Sequence, residues 1–183
     1  MILLYAKGAF PMADDDGSVN WYMPEIRTII PLDNFNIPKS LKKYKEKSDF
    51  TFGFSTNQLE VIKQCANRDE TWISNELIAA YKNLIKMGHL HSVEVYQNQK
   101  LVGGLYGVTY KGAFFGESMF SLVSQASKTA LIELIKRLNE RDFVLLDVQY
   151  QTDHLQMFGS IEIPFFDFND YLIESYRRDV TFI

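Results

Sequence analysis

Residues 91–120 read HSVEVYQNQKLVGGLYGVTYKGAFFGESMF. Three apolar-rich runs, each short enough for a strand, are broken by two turn signals, Gln97-Asn98-Gln99-Lys100 and Lys111-Gly112. The spacing predicts strands at 91–96, 101–110 and 113–120 joined as an antiparallel meander, since short turns join strands of opposite direction. Downstream, Ala130, Leu131, Leu134, Ile135 and Leu138 repeat at helical spacing and predict a helix from about Ala126 to Asn139. LLDVQY (145–150) alternates as the next strand, IEIPFF (161–166) follows, and a last helix starts near Asp167. A meander followed by a helix and another strand is a mixed α/β sheet.

Upstream, FTFGF (50–54) reads as a short strand. Ser55-x-x-Gln58 has the capping-box pattern, and Leu59, Ile62 and Ala66 fall on one face of the helix it would open. A second helix is expected from Ser74 to Met87, with Leu77, Ile78, Tyr81, Leu84 and Ile85 inward and Gly88 as its stop. The first 48 residues are turn-rich, with DDDG (14–17) as a surface loop, and VTFI (180–183) is a possible final strand. This element order is that of the Gcn5-related N-acetyltransferase fold, an analogy that does not fix chemistry. Coenzyme A is disfavoured: the turn before the third helix, SLVSQASKTA (121–130), contains no glycine to let a pyrophosphate approach the backbone.

At 183 residues and 46% apolar content the chain supports one full domain with a small appendage. Nothing in it approaches a membrane-spanning apolar run, MILLYAKGAF is too short for a signal peptide, and a single cysteine cannot form an internal disulfide. A cytoplasmic protein is expected. The histidines lack metal-ligand spacing with the cysteine. A net charge of −4 argues against nonspecific nucleic-acid binding, yet KSLKKYKEK (39–47) gathers Lys39, Lys42, Lys43, Lys45 and Lys47. Such a block is either a solvated helix face or a local phosphate-binding patch.

LLDVQYQTDH (145–154) turns polar where a buried strand would end. Asp147 and Gln149 share one strand face, so a carboxylate and an amide emerge together. They are either a strand exit into solvent or a site.

The stretches KGAFPM (7–12), WYMPEIR (21–27), TWI (71–73), GHLHSVEV (88–95), LVGGLYGV (101–108), FGESMFS (115–121), ASKTAL (126–131), DVQ…DH (147–154) and EIP (162–164) together make a specific pattern. In that order the chain resembles the leucyl/phenylalanyl-tRNA–protein transferases. The resemblance implies a small N-terminal domain (1–48, trimmed relative to the family) before an acyltransferase-like catalytic domain (49–183). Trp21-Tyr22 stands where the family has two tryptophans, and Leu105 where it has a methionine.

The implied reaction is attack of a protein α-amino group on the ester of an aminoacyl-tRNA. The donor carries Leu, Phe or Met, the acceptor begins with Arg or Lys, and the product is marked for N-degron-directed degradation. An aminoacyl ester is already activated, so no cofactor or metal is expected. The resemblance gives Gln149 the task of positioning the amine, with Asp147 orienting that amide and drawing the cationic acceptor, and Glu117 orienting the donor's α-amino group. Leu105, Met119, Leu131, Leu134, Leu138 and Leu146 would surround the donor side chain, although each is equally what a core would hold. Tyr22 and Trp72 would stack on the terminal adenosine, and the lysine block would meet acceptor-stem phosphates. The competing functions are another aminoacyl-tRNA-dependent transferase, such as a peptidoglycan-precursor ligase, a coenzyme-A-dependent acetyltransferase, and a non-catalytic tRNA-binding module.

Overall fold

A computed structural model describes residues 1–183 except 15, 17, 69 and 70, so the loop expected at 14–17 lies partly outside the described residues. One helical turn, α1 (Ile2–Tyr5), leads into β1 (Phe10–Ala13) and β2 (Val19–Tyr22), which pair as a separate two-stranded sheet. Then come β3 (Ile26–Ile29), α2 (Lys39–Lys47), β4 (Thr51–Phe54), α3 (Gln58–Ala66) and α4 (Asn75–Lys86). The meander follows as β5 (Leu90–Gln97), β6 (Lys100–Tyr110) and β7 (Ala113–Ser121). Helix α5 (Ala126–Glu140) carries the chain to β8 (Leu145–Gln149), and α6 (Asp153–Gln156), β9 (Ile161–Pro164) and α7 (Phe165–Tyr176) complete it.

The main sheet has seven strands in the order β4-β5-β6-β7-β8-β3-β9, antiparallel except for the parallel β7–β8 pair that α5 makes possible. Alternation along the strands sends side chains to both faces, and each face has its own core. Val93, Val95, Leu105 and Phe114 pack beneath α5, with Leu131, Ile135 and Leu138 facing them. Leu90, Tyr106, Val108 and Phe115 pack beneath α3 and α4, against Val61, Leu77 and Tyr81. The mixed α/β sheet with flanking helices is thus the fold the meander predicts.

Several local expectations change. IRTI enters the main sheet as β3, and Ile30, Leu32 and Leu41 belong to the core beneath α5. The main sheet therefore takes up chain well before the division expected at residues 48 and 49. The capping box at Ser55 and Gln58 does not form: Ser55 has φ 55 and its hydroxyl meets His91 Nδ1 at 3.0 Å. Helix α7 starts at Phe165 instead of Asp167, because Pro164 ends the strand and serves as N-cap while Phe165 N–H donates to Glu25 O. Residues 180–183 form no strand. Phe182 instead stacks on His91 and leans on Phe114, with its carbonyl accepting from Arg137 Nε, so the segment crosses a sheet face.

What orders the start of α3 is Glu94, a fully buried carboxylate on β5. It accepts from the Thr56 and Asn57 N–H groups at 3.4 and 3.2 Å, from Thr56 Oγ1 at 3.0 Å and from Ser92 Oγ at 2.5 Å. It holds the N–H groups of the two residues that lead into the helix and sets a carboxylate near the positive helix end.

The feature that shapes the site is where β7 and β8 part. They pair only at Ala113↔Leu145, Phe114↔Leu146 and Phe115↔Asp147. Beyond those pairs the ladder stops, and the residues that follow on both strands face a gap.

Glu94→Gln keeps the side-chain volume but replaces one accepting oxygen by a donor that faces other donors. It should lower unfolding stability by about 1–3 kcal/mol, read as a lower urea midpoint at unchanged slope. An unchanged midpoint would mean that solvent, and not Glu94, satisfies the end of α3.

Candidate active site

A cavity of about 590 Å³ fills the gap between β7 and β8 and extends to both faces of the sheet. Leu105, Met119, Leu131, Leu134, Leu146 and Val148 make its apolar wall on the α5 side. Tyr106, Glu117, Gln149, Thr152, His154 and Arg68 contribute polar groups. An apolar recess bordered by a few convergent polar groups is the usual form of a small-ligand site.

Gln149 closes the strand in the left-handed region, at φ 69. Its N–H donates to Asp147 Oδ1 at 2.9 Å, and its Nε2 donates to the Gly116 carbonyl at 2.9 Å. That second bond spans the parted strands and leaves Oε1 free to accept. The backbone turn also separates two residues that alternation would put side by side: Gln149 lines the cavity and Asp147 does not.

Asp147 points instead to Arg27 on β3. Arg27 Nε meets Oδ1 at 2.9 Å and Nη2 meets Oδ2 at 2.5 Å, with both side chains fully buried. The guanidinium carbon lies over the rings of Phe10 and Phe168, 4.4 and 4.8 Å from their centroids.

Glu117, two residues past the last β7–β8 pair, is held by two phenols. Tyr5 Oη donates to Oε1 at 2.9 Å and Tyr81 Oη to Oε2 at 2.7 Å. Burial pushes its carboxyl from the ordinary 4.5 up to about 8. The tyrosine hydrogen bonds oppose that rise, Asp147's charge adds to it, and Arg27's charge opposes it. Desolvation and the neighbouring carboxylate raise the phenols of Tyr5 and Tyr81 well above their usual value, so they remain donors. Arg68 on the α3 side reaches the Met119 carbonyl and Ser118 Oγ and bridges to β7 at the cavity rim.

Of the residues expected at a site, Glu117, Gln149, Leu105, Met119, Leu131, Leu134 and Leu146 come together around the cavity. Leu138 lies one helical turn past Leu134, about 6 Å farther along α5, and is core beside Phe143. Tyr22 and Trp72 are partly buried against the core beneath α3 and α4, outside the cavity wall. The lysine block forms α2, packed through Leu41; Lys39, Lys42, Lys43 and Lys47 are exposed. Lys45 is occupied, paired with Glu133 at 3.0 Å and lying over Phe52.

Sequence reading did not single out Arg27, Tyr5, Arg68 or His154. For Arg27 and His154 the signal was membership in the WYMPEIR and DH stretches; for Tyr5 and Arg68 there was none. Tyr81 was legible only as an inward helix residue, because its hydroxyl partner lies 36 residues away.

A mixed sheet whose parted strands hold an apolar recess, a free amide oxygen and a carboxyl poised near neutrality is suited to acyl transfer between bound groups. Residues 29–173 match the profile of leucyl/phenylalanyl-tRNA protein transferase, and residues 1–25 that of its N-terminal domain. A leucyl/phenylalanyl-tRNA–protein transferase from Salinibacter ruber is 46% identical over 96% of this chain and 78% of its own. Those from Herpetosiphon aurantiacus and Rubrobacter xylanophilus are 45% and 44% identical, each over 100% of this chain and over 95% and 96% of their own. Among solved structures, a functionally unknown conserved protein from Staphylococcus epidermidis aligns over 76% of this chain and 57% of its own, at 12% identity and a TM-score of 0.44. The chain belongs to the leucyl/phenylalanyl-tRNA–protein transferase family, a family of aminoacyltransferases.

Glu117 should leave a pH signature. Its folded pKa lies above its unfolded value, so its protonated form favours the native state. That contribution is whole below about 4.5 and fades as pH rises through about 8. Wild-type stability should therefore fall across this window relative to Glu117→Gln, as measured by denaturation at several pH values. Tyr81→Phe should raise the Glu117 pKa further by removing a donor to the carboxylate. Parallel stability curves for wild type and Glu117→Gln would contradict the assignment.

Proposed function

We propose that this protein transfers Leu, Phe or Met from aminoacyl-tRNA to the N-terminal Arg or Lys of acceptor proteins in the cytoplasm, and so marks them for N-degron-directed degradation. The observation that carries this reading is the cavity's division into an apolar recess and a polar border that meets it at Gln149. No helix among the described residues is long and apolar enough to cross a membrane.

In this reading the donor side chain enters between Leu105, Met119, Leu131, Leu134 and Leu146, a recess that rewards apolar volume. The ester then lies at the border, where Gln149 Oε1 accepts a hydrogen bond from the attacking amine and sets its approach. A neutral amide is a poor base, so Gln149 orients and does not take the proton. Glu117 orients the donor's α-amino group. The new amide bond forms as the ester bond to the ribose breaks, and the proton lost by the amine ends on the departing ribose oxygen. Tyr22 and Trp72, on the α3 and α4 side, are the aromatic surfaces offered to the terminal adenosine. The exposed lysines of α2 are the contacts for stem phosphates.

Asp147 serves differently from what its charge suggests. With both oxygens taken by Arg27, it orients Gln149 and does not draw the cationic acceptor.

The direct test is to incubate the protein with leucyl-tRNA and an Arg-initiated peptide, then weigh the product; a mass gain of one leucine residue is expected, and its absence with every charged tRNA would refute the reading. Met119→Ala should enlarge the recess and move preference from Leu toward Phe, within the roughly 1–3 kcal/mol that a methylene-sized change commands. An unchanged Leu-to-Phe ratio in a folded variant would remove Met119 from the recess. Changing Lys42 and Lys43 to Ala should reduce the log–log salt slope of tRNA binding by about one unit per lysine. Transfer from a minimal aminoacyl-adenosine should hardly change; equal losses on both donors would mean that the lysines support the fold.

A further inference from the structure

Arg27 contacts nothing in the cavity, yet three independent features converge on it. Its Nε and Asp147 Oδ1 are 2.9 Å apart, and that same oxygen accepts the Gln149 N–H. Its guanidinium carbon lies over two rings from distant parts of the chain, Phe10 of the small sheet and Phe168 of α7. Phe10 also meets Tyr150 edge-on at 5.6 Å, so one ring braces both the guanidinium and the residue after Gln149.

A purely stabilising role explains this poorly. Arg27 Nη1 is buried without a hydrogen-bond partner among the described residues, and a desolvated ion pair with an unanswered donor is an inefficient way to stabilise a core. Its geometry, in contrast, is efficient for orientation. The fork fixes the orientation of the carboxylate plane, and one of its oxygens grips the N–H of Gln149, whose φ of 69 residues with side chains rarely adopt.

We propose that Arg27 is a positioning residue for transfer: through Asp147 it fixes the left-handed turn at Gln149, and thereby the direction in which Gln149 Oε1 meets the attacking amine. Phe10 and Phe168 hold the guanidinium in register, so the small N-terminal sheet acts on the reaction without touching substrate. The effect belongs to catalysis and not to donor affinity, since most of the apolar recess is built from β6, β7 and α5. A lysine replaces the fork only in part, because its ammonium keeps the charge opposite Asp147 but makes no bidentate pair.

The inference rests on the transfer reaction proposed above, and two readouts keep the two separable. In Arg27→Gln, kcat with aminoacyl-adenosine and an Arg-initiated peptide should fall by about a hundredfold, the scale of a misplaced reacting group. KM for the donor should stay within about twofold, as for an interaction made in the transition state. Arg27→Lys should recover part of kcat, and it supplies the same comparison if Arg27→Gln does not fold. Independently of turnover, the Gln149 amide should exchange its hydrogen faster in both variants than in wild type. Wild-type kcat in either folded variant, a loss confined to KM, or an unchanged Gln149 exchange rate would overturn the proposal. No transfer by wild type, with faster Gln149 exchange in the variants, would instead refute the reaction and leave the positioning intact.

Discussion

The ladder between β7 and β8 ends after three residue pairs, and the site follows from that ending. A sheet that stayed closed would bury Glu117 and Gln149 in hydrogen-bonded register and leave no space between them. Because the strands part, backbone groups past Phe115 and Asp147 need other partners. Gln149 supplies one by donating its side-chain amide across the gap to Gly116 O. The same opening joins the two sheet faces, which is how an apolar wall under α5 and polar groups under α3 and α4 come to share one cavity.

Charge is arranged around this opening in a consistent way. The ion pair of Arg27 and Asp147 is sealed from solvent, so its charges shape the local field without meeting a ligand directly. Glu117 stands beside that pair, and burial makes its carboxyl hard to ionise while Tyr5 and Tyr81 keep its oxygens oriented. The exposed lysines of α2 are not part of the cavity wall, on a chain that is acidic overall. In the proposed reading, these lysines meet the polyanionic donor and the apolar recess reads its amino acid.

Much of the fold was legible because it is local. The turns at Gln97–Lys100 and Lys111-Gly112 set the meander, and the apolar spacing in α5 and the stop at Gly88 need only neighbouring residues. The losses came where a partner is distant. Nothing near Ile26 announces that it will lie between β8 and β9, because that pairing depends on residues more than a hundred positions away. Ser55-x-x-Gln58 has the form of a cap, yet Ser55 N–H goes to Ser92 O and its hydroxyl to His91, while Glu94 from β5 holds the Thr56 and Asn57 N–H groups. The site divided along the same line. The apolar recess was expected from the resemblance alone, since periodicity marks the same leucines equally as core, while the Arg27 fork and the tyrosine clamp on Glu117 are tertiary facts. Alternation put Asp147 and Gln149 on one face; the register shift that sets them opposite the adjacent Ile29 and Thr28, with the left-handed turn at Gln149, separates their directions.

The claim at the centre of this account is that the parted strands seat an aminoacyl ester with its reacting carbonyl beside Gln149. A crystal structure with a non-hydrolysable leucyl-adenosine analogue tests it most directly. The leucyl side chain should lie among Leu105, Met119, Leu131 and Leu146, its α-amino group against Glu117, and its carbonyl carbon next to the free Oε1 of Gln149. An analogue bound elsewhere on the protein, with the cavity between β7 and β8 empty, would contradict the account.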